Sequence, residues 1–140
     1  MSIPTVTITP LTKKQTLYSD LRKDLEINPI TKDLALRRDE DAVKESIVNL
    51  VLTNRGERLF RPNMGGGIQN MLFENNTPAT LKLIQESVKD TINTYEPRAS
   101  LIDVETYSNY NETTVTVNVI FYVRNRQEPV SVSVFLERLR

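Results

Sequence analysis

Residues 113–137 read TTVTVNVIFYVRNRQEPVSVSVFLE, and their period decides the fold. Val115, Val117, Val119, Phe121 and Val123 share one parity, with Thr114, Thr116 and Asn118 opposite. In a strand, successive side chains point to opposite faces, so this alternation gives one core face and one outer face. Arg124 to Glu128 supplies a polar turn. Val130, Val132, Val134 and Leu136 then alternate with Ser131 and Ser133 to give the final strand. Upstream, Ile102 and Val104 begin another strand, and Ser108 to Glu112 is a second polar turn. Two short turns joining three strands make an antiparallel meander.

Before residue 98 the period lengthens to that of a helix. Thr77 is an N-cap and Pro78 sits at the first helical position, where its missing N–H costs nothing. Leu81, Ile84, Val88, Ile92 and Tyr95 line one face, and Pro97 ends the run by pushing Glu96 out of helical space. Earlier, Asp39 offers an N-cap to a helix carrying Ala42, Val43, Ile47, Leu50 and Val51. Its end is expected near Asn54 or Arg55, with Gly56 as the left-handed terminal residue. Ile68 to Phe73 forms one short helical turn. Asn28-Pro29 marks a turn before a short extended piece containing Leu34 and Leu36.

The expected fold is α+β: a two-layer domain with two main helices packed on the C-terminal three-stranded meander, and an extended N-terminal arm. The arm is residues 1–19, rich in Thr and bounded by Pro4 and Pro10 at its extended part; residues 20–140 form one domain.

Composition narrows the chemistry. The chain has 140 residues, no Cys and no His, so disulfides, thiolate nucleophiles, Cys/His zinc sites and histidine bases are excluded within it. An apolar fraction of 39% suits a globular core. No window approaches the roughly 18 apolar residues of a membrane span, and Met1 to Pro10 lacks a signal-peptide pattern, so the expectation is a soluble protein of the cytoplasm. A formal net charge of zero argues against bulk nucleic-acid binding.

Few constellations could carry chemistry. Gly65-Gly66-Gly67 lacks the Lys of a phosphate-binding loop and the spacing of a dinucleotide fingerprint; the better reading is positive φ or close backbone packing. Glu74 and Glu96 are the acids nearest to a glycosidase pair, but nothing in their spacing brings them together. Arg55, Arg58 and Arg61 form a positive patch suited to an acidic protein surface. In Tyr95-Glu96-Pro97-Arg98, proline stiffens a corner from which Glu96 and Arg98, two residues apart in extended backbone, point the same way. Finally, Val130 to Leu136 carries no charge. At a sheet edge it would either aggregate or be completed by a partner strand; the alternative is that it sits centrally or is covered by the N-terminal arm.

The ordered set Leu17-Tyr18-Ser19-Asp20-Leu21, Asn28-Pro29, Asp39-Glu40-Asp41-Ala42-Val43-Lys44, Asn54-Arg55-Gly56-Glu57-Arg58, Arg61-Pro62, Leu72-Phe73-Glu74, Thr77-Pro78 and Tyr95-Glu96-Pro97-Arg98 resembles the baseplate wedge proteins, or sheath initiators, of contractile-tailed bacteriophages. Relatives serve the type VI secretion baseplate. The resemblance implies a structural protein without catalytic residues, cofactor or metal. It implies a wedge-binding face at Glu96, Pro97 and Arg98, to which the residue pattern adds Arg55, Arg58 and Arg61. It also implies a sheath-pairing strand at Val130, Ser131, Val132, Ser133, Val134, Phe135 and Leu136. The partners implied are other wedge proteins, tail sheath and tail tube, with no nucleic acid and no membrane. Six copies in the virion tail baseplate, assembled in the host cytoplasm, follow from the same resemblance. Some members carry a lysozyme label, which makes peptidoglycan cleavage the enzymatic alternative; a small nucleic-acid-binding domain is the other.

Overall fold

The computed structural model describes residues 15–74, 77–108 and 114–137. In chain order the elements are β1 (Ser19–Leu21), β2 (Leu36–Arg38), α1 (Glu40–Leu52), α2 (Ile68–Leu72), α3 (Pro78–Tyr95), β3 (Ala99–Ser108), β4 (Thr114–Val123) and β5 (Pro129–Glu137). β3, β4 and β5 form an antiparallel sheet in that order, as the period-two reading requires. Val115, Val117, Val119, Phe121 and Val123 are at most 1% exposed. On β5, Val130, Val134 and Leu136 join them in the core and Val132 packs at its margin. α1 and α3 cover this apolar face, giving an α+β domain of two layers.

β3 departs from simple alternation. Its register with β4 shifts between Leu101 and Asp103, so Ile102 is an extra residue. A bulge of this kind resets the parity: Leu101 packs on the core and Val104 is buried, while Ile102 is 48% exposed. Ile102 and Val104 therefore do not share a face.

α3 follows its sequence signals. Thr77 Oγ1 accepts the Thr80 N–H, Pro78 follows the cap, and Ile84, Val88 and Ile92 are fully buried. Tyr95 lies at the rim, where its hydroxyl donates to Asn63 O at 2.8 Å. α1 buries the five expected residues but stops earlier than expected. Thr53 is already extended, and its hydroxyl donates to Asn49 O at 2.5 Å. Gly56 does have φ +86, but it serves the following loop, donating to Pro62 O at 2.7 Å. Asp39 stands at the N-cap position without capping, because its carboxylate is directed elsewhere. α2 buries Ile68 and Leu72 and leaves Phe73 exposed.

A second sheet was not legible in the sequence. β1 pairs antiparallel with β2 (Ser19↔Arg38, Asp20↔Arg37, Leu21↔Leu36), and an Ile27↔Leu34 bridge extends it. Between them Asn28 Oδ1 accepts the Ile30 N–H at 2.9 Å, which makes the expected turn. Ser19, assigned to the arm, is thus the first residue of a strand. Residues 1–14 of that arm, and 109–113 around the polar turn, lie outside the described residues.

Candidate functional site

The corner after α3 closes on itself. Glu96 leaves helical space at φ −121, ψ 76, and the Ala99 N–H donates to Glu96 O at 3.1 Å. The corner is thus a turn around Pro97 and Arg98 rather than the extended backbone expected, and that turn brings Glu96 and Arg98 to one side. Arg98 Nε donates to Glu96 Oε1 at 2.7 Å and Nη2 to Oε2 at 3.0 Å, a bidentate fork. The Ser46 hydroxyl of α1 donates to Glu96 Oε2. Arg98 Nη1 donates to Asp20 Oδ2 of β1 at 2.8 Å, and the guanidinium carbon lies 5.7 Å from the Tyr18 ring centre. Glu96 is only 2% exposed, and 26% of the Arg98 side chain remains accessible. The pairing that the spacing anticipates is therefore made inside the chain, where it ties α1, β1 and the α3–β3 corner together. Asp20, Ser46 and Tyr18 complete the network; Tyr18 and Asp20 stand in the family-like string, but no spacing rule marks them.

Burial pushes the Glu96 carboxyl up, but the Arg98 fork and the Ser46 hydroxyl outweigh it and hold the group below the ordinary glutamate value. Arg98 is correspondingly raised, foremost by its hydrogen bonds to Glu96. A second carboxylate behaves alike. Asp39 is lowered first by the Leu17 N–H at 2.7 Å and, against burial, by the Tyr18 N–H and by Arg126 at 2.9 Å. A depressed carboxylate contributes stability above its unfolded value and loses it as pH falls through the folded one. Stability should hold at neutral pH and fall below about pH 4.5, near the unfolded carboxylate range. Glu96→Gln should lower stability at pH 7 by roughly 3 kcal/mol, because it leaves Arg98 partly unpaired. It should also flatten the acid slope. Urea melts between pH 3 and pH 7 check both.

The arginine loop lies beside this network. Arg55 Nε donates to Gly65 O at 3.3 Å. Among the described residues the Arg58 and Arg61 side chains have no hydrogen bond or ion pair. Arg58, Met64, Asn49 and the network's own Asp20 and Ser46 line one open concavity of about 230 Å3 between β1, α1 and the loop. The structure thus brings Arg58 to the Glu96–Arg98 network, while Arg55 is turned to Gly65 and Arg61 is exposed.

The β5 edge has a definite hydrogen-bond phase. The Arg124 N–H donates to Arg98 O at 2.8 Å, one step beyond the Ala99↔Val123 pair. Backbone groups alternate sides along an antiparallel strand. Even-numbered residues of β4 therefore face β3 and odd-numbered ones face β5. The β4–β5 register runs without a shift. Val130, Val132, Val134 and Leu136 accordingly direct their N–H and C=O groups to β4. Ser131, Ser133 and Phe135 direct theirs outward, where no strand among the described residues pairs with them. The opposite edge is guarded: β3 has its bulge, and Gln85 of α3 donates to Val104 O. The Lys89–Asp103 ion pair at 3.0 Å adds charge there.

Residues 37–128 match the family model described as baseplate wedge protein gp25. Baseplate wedge protein gp25 of Enterobacteria phage T4 is 27% identical over 117 residues, covering 81% of this chain and 86% of that protein. A Geobacter sulfurreducens protein whose crystal structure is named for a tail lysozyme is 28% identical, with a TM-score of 0.64, over 72% of this chain and 92% of its own. A chain of the six-fold symmetrised cryo-EM baseplate of the anti-feeding prophage is 23% identical, with a TM-score of 0.60, over 88% of this chain and 87% of its own; that likeness speaks to the fold alone.

Proposed function

The chain belongs to the baseplate wedge protein gp25 family, and from that premise we propose that it nucleates the tail sheath of a contractile particle. It is a structural baseplate wedge protein. One face, around Glu96, Pro97 and Arg98 with the Arg55, Arg58 and Arg61 loop, docks on the core bundle of other wedge proteins. The opposite role falls to Val130–Leu136, which pairs with a sheath strand through main-chain hydrogen bonds. Six copies would surround the tail tube in the virion baseplate, after assembly in the host cytoplasm.

The observation that carries this reading is the edge of β5: outward donors and acceptors at Ser131, Ser133 and Phe135, on a strand with no charge from 130 to 136. Within the wedge face, Glu96 acts as a positioning residue, since its carboxylate is buried and engaged by Arg98 and Ser46. Arg98, Pro97 and Arg58 supply the accessible surface.

The same geometry speaks against glycoside hydrolysis. A general acid needs an available carboxyl with a raised pKa. Glu96 is 2% exposed, is forked to Arg98 and is shifted the other way. Glu74 lies exposed beyond α2, outside the Glu96 network.

Depleting the chain from the parent tail system tests the proposal. The expected product is tail tubes on incomplete baseplates without sheath, and the purified chain should release no sugar from peptidoglycan. Normal sheathed tails, or peptidoglycan turnover, would overturn it.

A further inference from the structure

The loop between α1 and α2 presents its two largest apolar side chains to solvent: Leu59 is 86% exposed and Phe60 98%. This is not the looseness of an untethered loop. Gly56 N–H donates to Pro62 O at 2.7 Å, Arg61 N–H to Arg58 O at 3.2 Å, and Met64 N–H to Arg61 O at 3.0 Å. Gly65, at the loop's far end, packs directly on the Thr53 carbonyl. Phe60 itself is held at φ +69, a conformation unfavourable to a bulky L residue. Strain at a fully exposed aromatic has no packing reward within the chain, and such outliers collect where a side chain must be aimed at something else.

Charge says what that something is. The one acid of the loop, Glu57, folds back to accept the Asn54 N–H at 2.8 Å. Arg58 and Arg61 flank the apolar pair with no partner of their own among the described residues. The tip is therefore an apolar knob between two free cations.

We propose that Leu59-Phe60 is an anchor that inserts into an apolar pocket rimmed by carboxylates on a protein partner. The proposal rests on the wedge-docking reading and deepens it: the knob, rather than the internally paired Glu96, carries most of that contact. Aromatic anchors beside arginine are the usual centres of binding energy, and a rigid loop loses little freedom when it docks.

The test uses the full chain in its own tail system, comparing wild type, Phe60→Ser, Phe60→Asn and Phe60→Trp for incorporation into purified baseplates. Phe60 touches no core, so all variants should fold, and Phe60→Asn, which tolerates positive φ, should melt no lower than wild type. Incorporation should fall about tenfold or more for Ser and Asn and be retained for Trp. A photo-crosslinker at Phe60 in assembled particles should label a baseplate protein at a segment with apolar residues and at least one Asp or Glu. Incorporation of Phe60→Ser at the wild-type level would overturn the proposal, as would crosslinks to nucleic acid or lipid. If the wild-type chain is itself absent from baseplates, the family-based function fails with it; if wild type and variant are equally present, only the anchor fails.

Discussion

Ser133→Pro is expected to leave the chain folded and to abolish sheath nucleation, with sheathed particles falling about a hundredfold. The Ser133 N–H points away from β4, so proline there removes no ladder bond, and edge strands tolerate proline on their solvent side. The known loss is a surface bond from its hydroxyl to Asn118 Oδ1 at 3.2 Å, worth about 1 kcal/mol or less. An incoming strand, however, would lose a central donor and meet the proline ring. Val132→Pro is the control. Its N–H faces Val119 across the ladder, so that variant should lose roughly 3 kcal/mol and disturb the sheet itself. Circular dichroism, thermal melts and counts of sheathed tails separate the two. Sheath growth from a folded Ser133→Pro chain would exclude this edge as the template.

Gly65→Ala is expected to be the most damaging single methyl in the molecule. A Cβ at Gly65 would stand 2.3 Å from Thr53 O and 2.9 Å from Thr53 C, both backbone atoms, and φ is +114. No side-chain rotation relieves such a contact, so the loop must separate from the end of α1. The expected loss is roughly 3–5 kcal/mol, or a fall in Tm of about 10–20 °C. Gly56→Ala is the comparison: its φ is +86 but nothing lies within 4 Å, so a loss of only about 1 kcal/mol is expected. Equal melting of the two variants would show that the loop is not pinned at Gly65. Because the arginines and Phe60 hang from this loop, Gly65→Ala should also depress baseplate incorporation.

Much of the fold was written in local pattern. The parity of Val115 to Val123, the Thr77-Pro78 cap and the Ile84-Val88-Ile92 stripe each report a solvent boundary within one element. The triple glycine was legible too, as a need for close backbone packing, which Gly65 shows. What escaped were decisions made between distant segments. Asp39 looks like a helix cap, yet Arg126 and the Leu17 N–H, 87 and 22 residues away, claim its carboxylate. β1 is three residues long and has no periodicity to read; it exists because Leu36 to Arg38 lie beside it. The bulge at Ile102 is set by pairing with β4, so alternation alone misassigned that residue. Within the candidate surfaces, spacing anticipated that Glu96 and Arg98 share a side, though a turn at Pro97 rather than extended alternation brings them together. It could not show that they would satisfy each other, because Ser46 and Asp20 reach them only through tertiary contact. The outward phase of Ser131, Ser133 and Phe135 was likewise hidden, since a side-chain pattern does not say which way a carbonyl points.

The most direct measurement is a cryo-electron reconstruction of the assembled tail at side-chain resolution. The expected result is a sheath strand hydrogen-bonded to Ser131, Ser133 and Phe135 on the open edge of β5, with the face around Arg98 and Arg58 seated on other wedge subunits. A chain located away from the junction of wedge and sheath, or a β5 edge bare of any sheath strand, would contradict the templating role.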